Sequence, residues 1–212
     1  MNDIKAVTFN TLPTYAVIGG QQYPIDYGYR ALMKIEIEMF SEHRDEDKIL
    51  NALEIFYKNK IPEDINAATE YMIWFQRCGE EPETTKKGVS DKKAKRGYCF
   101  RQDAPLIYAA FRQQYGINLK KTDNEKLHWW EFIALFECLE ESTKMAKVMY
   151  WRTCDLSTLS KEEKKFVKSM RELYELKESN DKPDMDGKER LVKRNADMKA
   201  YVRKRAEECL KR

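Results

Sequence analysis

Two histidines, His43 and His128, are the side chains best suited to proton transfer or metal binding near neutral pH, and they lie far apart in the chain. Neither has cysteine or carboxylate neighbours at the spacing a zinc site uses, so no metal ion is expected. The phosphate-cradling patterns GxGxxG and GxxxxGKS/T are missing, as is a GxSxG nucleophile elbow. The adjacent carboxylates Glu80-Glu81 and Glu140-Glu141 would diverge on a helix and read as solvated surface. Glu131 differs because it sits in a largely apolar stretch. A core ion pair with Arg152 or Arg30 is the stronger reading, since no second group accompanies it for acid–base work. The expectation is a protein that is not an enzyme and takes no cofactor.

Binding chemistry is the better prospect. The basic run Lys92-Lys93-Ala94-Lys95-Arg96 could touch phosphate, although a solvated linker accounts for it more simply. Arg203, Lys204 and Arg205 offer a second cationic group. There Glu189, Asp197, Glu207 and Glu208 dilute the charge, and no aromatic stacking series accompanies it. Nucleic acid therefore ranks below a protein partner. Candidate anchors for that partner are the aromatics Trp129, Trp130 and Trp151, whichever of them is exposed, with Met198 and Val202 on a C-terminal stripe.

These side chains must be carried by helices. With 42% hydrophobic and 35% charged residues, the 212-residue chain can hold one sizeable core with long solvated helix faces. Only 8 glycines and 6 prolines argue against a turn-rich all-β design. Lys126 to Leu139 is apolar in most directions at ~100° per residue, so it should be a central helix enclosed by others. One strand signal precedes the helices. Tyr15-Ala16-Val17-Ile18, Gly19-Gly20 and Gln21-Gln22-Tyr23 predict a small hairpin ended by Pro24.

Helices are expected from Asp26 to Phe40, from Asp45 through Phe56, and from Ile61-Pro62 to Cys78 with Gly79 as the stop. More follow from an Asp103 cap to Gly116, from Ser142 through Trp151, and from the Ser160–Glu163 capping box. That last helix should turn Phe166, Met170, Leu173, Tyr174 and Leu176 inward. Residues 79–97 read as a mobile charged loop and 180–187 as a linker. The last segment carries a narrow stripe of Leu191, Asn195, Met198, Val202, Ala206 and Cys209. The fold class is mainly α: a single-core bundle of about six to seven helices, with a small N-terminal β-hairpin and a projecting C-terminal helix. Residues 1–179 form the core domain and 180–212 the linker and C-terminal helix.

Lys+Arg 39 against Asp+Glu 36 leaves a formal charge of only +3, too little for a strong field toward nucleic acid or membrane. Five scattered cysteines without a CxxC pair suit reduced thiols in a cytoplasm. No signal peptide and no apolar run long enough to cross a bilayer is evident, so no membrane partner is expected.

Several blocks in fixed order carry a family resemblance. They are Tyr23-Pro24-Ile25-Asp26 with Arg30, Ile61-Pro62, Trp74-Phe75-Gln76-Arg77-Cys78-Gly79, and Asp103 leading to Ile107-Tyr108-Ala109-Ala110-Phe111. Tyr115-Gly116-Ile117-Asn118-Leu119, His128-Trp129-Trp130-Glu131-Phe132 and Tyr150-Trp151-Arg152-Thr153-Cys154-Asp155-Leu156-Ser157 complete the set. Over residues 12–175 the chain resembles the bacteriophage "gene product fifteen" family, small helical proteins of long-tailed phages and prophages. Family members are encoded in the tail-morphogenesis cluster beside the tape-measure protein. The resemblance implies a tail-assembly protein, first of all a chaperone of the tape-measure protein in the bacterial host cytoplasm. The tail-tube protein is a second implied partner. The alternatives are a structural or completion protein retained in the virion tail, and a nucleic-acid-binding regulator. The family supplies no catalytic residues, and its implied role is analogy rather than a site argument.

Overall fold

A computed structural model describes residues 11–80, 96–122 and 127–176. Within them lie a two-stranded antiparallel hairpin and seven α-helices, so the mainly-α expectation holds. Strands β1 (Tyr15–Ile18) and β2 (Gln21–Pro24) pair in the register Ile18 to Gln21. Gly19 and Gly20 both take positive φ, 59° and 80°, as a type I′ turn demands. Ala16 and Ile18 are buried, while Tyr15 and Val17 face out. The Tyr71 hydroxyl donates to the Tyr15 carbonyl, tying β1 to the third helix.

The helices are α1 (Tyr29–Met39), α2 (Asp45–Phe56), α3 (Ile65–Gln76), α4 (Ala104–Gln114), α5 (Trp129–Glu137), α6 (Lys144–Thr153) and α7 (Lys161–Leu173). A 3-10 turn, Leu156–Thr158, joins the last two. Helix α1 packs on α2 and α5, α2 on α3, α4 on α6, and α6 on α7. The central helix is enclosed as the sequence demands. Phe132 is fully buried and stacks on Tyr29 of α1 at 5.4 Å and on Phe111 of α4 at 4.9 Å. Phe136 and Phe100 extend the same aromatic stack.

Several boundaries move, each for a local reason. Helix α1 begins at Tyr29 rather than Asp26, because Tyr27 and Gly28 stay outside the helix to bridge the segment before α5. The Tyr29 amide donates to the Leu127 carbonyl and the Trp129 amide to the Tyr27 carbonyl. Helix α3 begins at Ile65, where the Asp64 carboxylate caps the Asn66 and Ala67 amides. Its left-handed stop is Cys78 (φ 56°) as well as Gly79 (φ 85°), with the Gly79 amide closing on the Trp74 carbonyl. Thr143, not Ser142, caps α6. Asp103 stands at the N-cap of α4 but caps nothing with its side chain, which is committed elsewhere. The Ser160–Glu163 capping box forms as expected.

Of the expected charged loop 79–97, residues 81–95 lie outside the described residues, as does the expected C-terminal helix. The two ends of that loop are anchored. Gly79 lies under the Trp130 ring, where a Cβ would come within 3.0 Å, and the Gly97 carbonyl accepts from Arg152.

Candidate functional site

The head of α5 gathers distant parts of the chain. His128 is the N-cap, and its Nδ1 accepts from the Trp130 amide at 3.0 Å. Because Nδ1 accepts, the ring proton belongs on Nε2, which lies 3.0 Å from the Pro13 carbonyl. The ring stacks on Tyr27 at 5.5 Å and tilts against Phe75 at 5.4 Å. Burial lowers the His128 pKa, opposed by the Pro13 hydrogen bond and the Glu131 charge. A neutral imidazole of this kind is a structural cap.

Among the described residues Glu131 makes no core ion pair. Its Oε2 accepts from the His128 amide at 2.9 Å and closes a capping box, the reciprocal use of a first-turn carboxylate. The two arginines expected near it serve other partners. The Arg30 guanidinium donates to the carbonyls of Leu119, Lys120 and Thr122. Arg152 instead makes a buried two-pronged pair with Asp103, at 2.6 and 3.0 Å. It also donates to the carbonyls of Gly97 and Tyr174, so one guanidinium joins α4, α6, the segment before α4 and the end of α7. Sequence reading missed this pair. Its members lie 49 positions apart, and nothing local in a single chain signals such a match.

Trp129 and Trp130 are withdrawn as partner-binding anchors. They are 1% and 5% exposed, and their indole N–H groups donate to the carbonyls of Gln76 and Phe75 at the end of α3. A buried indole needs such an acceptor, and the end of a helix has spare carbonyls to offer.

Trp151 behaves differently. It is half-buried, with the Phe166 and Tyr174 ring centres 5.9 and 5.8 Å from its own, the former in a T-shaped arrangement. The Lys144 ammonium lies 5.0 Å from both the Trp151 and Tyr174 ring centres. The Arg171 guanidinium donates to the carbonyls of Trp151 and Cys154, locking α7 onto α6. Next to this lock the apolar surface stays open: Phe166 is 53% and Leu173 68% exposed, with Tyr150 of α6 at 52%. That corrects the inward placement of Phe166 and Leu173. Only Val167 of α7 is fully buried, with Met170 and Tyr174 partly so. At ~100° per residue the α7 stripe is wider than one contact, and its Phe166–Leu173 edge overhangs α6. A stripe that broad was the available signal.

The remaining predicted contacts divide in two. Arg96 is engaged within the protein, 3.4 Å from Glu36 and stacked 3.5 Å above the Phe40 ring, which takes it out of the phosphate-contact set. Lys92, Lys93, Lys95, Met198, Val202, Arg203, Lys204 and Arg205 lie outside the described residues. Among the described residues no group of three potential metal ligands occurs, and no helix is long and apolar enough to cross a membrane. Cys78 is a poor nucleophile, its thiol pushed up to about 12 by burial and then by Glu137 and Glu80.

The family model described as "Bacteriophage Gp15 protein" matches residues 9–176. The chain belongs to that family. No match was found among curated proteins or among solved structures.

The Gp15 blocks acquire a physical meaning from the fold. Tyr27, Trp74-Phe75-Gln76 and His128-Trp129-Trp130-Glu131 meet at the head of α5 through backbone and ring hydrogen bonds. The Asp103 and Arg152 blocks meet as the buried ion pair. In this Gp15 chain the motifs are joints of the fold. The edge of α6 and α7 instead leaves Tyr150, Phe166 and Leu173 exposed.

Proposed function

We propose that this phage protein is a tail-assembly chaperone that binds the tape-measure protein in the host cytoplasm and acts by binding, without catalysis. The observation that carries the reading is the exposed apolar edge of Phe166 and Leu173 beside the half-buried Trp151, on a member of the Gp15 family. An aromatic anchor rimmed by Lys144 and Arg171 suits an amphipathic helix laid in a shallow groove. A tape-measure chain offers such helices before tail-tube subunits enclose it. The family's gene neighbourhood, as the resemblance gives it, points to the same partner.

Co-expression with the tape-measure protein tests this. A soluble, co-purifying complex is expected, weakened at least tenfold by Phe166→Asp or Leu173→Asp. A tape-measure protein equally soluble alone, with no complex formed, removes the proposal.

A further inference from the structure

The open edge of α7 needs an occupant, and the chain carries one close by. Phe166 and Leu173 lie seven positions apart, two helical turns along one face, and the described residues stop three positions later at Leu176. Beyond residue 176 the next apolar side chains at helical spacing are Leu191, Met198, Val202 and Ala206, with Asn195 and Cys209 in the same row. At ~100° per residue these fall within one narrow stripe, the width that a single flat contact accepts.

We propose that residues 191–209 fold back in cis and lay this stripe along the Phe166–Leu173 edge of α7. Reach permits it. The intervening residues 177–190 can span up to ~46 Å, whereas the 13-residue α7 is ~20 Å long, so either direction of docking is open. Tethering favours it over a free occupant, because a short linker gives a local concentration of order millimolar. Lys193, Arg194, Arg203 and Lys204 flank the stripe, and the exposed carboxylates Glu162 and Glu172 on α7, with Glu175 just past its end, are available to meet them. The lysines Lys161, Lys165 and Lys168 on the same helix leave charge a minor factor beside the apolar contact. The inference concerns the free chain and does not depend on the tape-measure protein. A partner helix that used this edge would first have to displace the segment.

Hydrogen exchange on the full chain reads the contact directly. Amides of 191–206 should exchange at least about tenfold more slowly than an unstructured segment. That protection should be lost in both Leu173→Asp and Val202→Asp and unchanged across a dilution series. Leu173 is 68% exposed, so its substitution should leave α5 as protected as before, which controls for folding. Free exchange of 191–206, or protection indifferent to Leu173→Asp, overturns the proposal. Protection that fades on dilution also overturns it, and identifies a second copy as the occupant.

Discussion

His128 shows how a single side chain can make stability depend on pH. Its cap requires an unprotonated Nδ1, and burial holds its pKa below the ordinary 6.5. A base with a depressed folded-state value binds its proton first in the unfolded state. Stability is therefore whole above about pH 6.5 and falls as pH drops from there toward the folded-state value. Urea titrations of the wild type between neutral and mildly acidic pH should show this loss, and His128→Asn should flatten that part of the profile. Buried carboxylates add a term of opposite sign. Glu36 is raised by burial, with Arg96 opposing, so His128→Asn must be compared with the wild type at each pH. Phe132 needs no titration. It is fully buried between Tyr29, Phe111, Trp129 and Phe136, and Phe132→Ala should cost ~3–5 kcal/mol. A melting curve shifted by less than half the corresponding amount would mean that the stack collapses to fill the space.

Helices here are fastened at their ends as much as along their faces. The Asp103–Arg152 pair holds α4 to α6 and, through the Tyr174 carbonyl, reaches the end of α7. Asp103→Leu leaves a guanidinium buried and should cost ~3–5 kcal/mol, whereas Asp103→Leu with Arg152→Met should cost less than those two single changes summed. Denaturant midpoints of the four proteins decide it, and strict additivity would show that the two side chains act independently. The α5 capping box should behave more modestly. Glu131→Ala removes one acceptor at a first turn and should cost ~1 kcal/mol. On α7, the Phe166 ring meets little of the described core, so the cost of Phe166→Asp in the full chain measures the contact proposed for residues 191–209, and a loss well under ~1 kcal/mol would speak against it. A large loss there would show that the edge is covered in the free protein.

For the molecule as a whole, mass spectrometry of purified phage particles separates a chaperone, expected to be absent, from a tail component retained in the virion. The mainly-α class, the hairpin with its Gly19-Gly20 turn, most helix positions and the burial of Phe132 and Phe136 were legible in the chain. Helical periodicity, glycine conformations and capping residues act between near neighbours, so sequence order records them. Family membership was legible for a related reason: ordered blocks survive as text even where each alone is weak. Which aromatic faces water was not legible. Trp129, Trp130 and Trp151 are the same residue type on similar helices, and only the carbonyls of Phe75 and Gln76 at the end of α3 drew two of them inward. Nor could the chain reveal that Arg152 would find Asp103 while Glu131 turned back to its own helix end. Each of those choices is a competition among partners brought together by folding. The side chains were written in the sequence, and the distances that decided between them exist only in three dimensions.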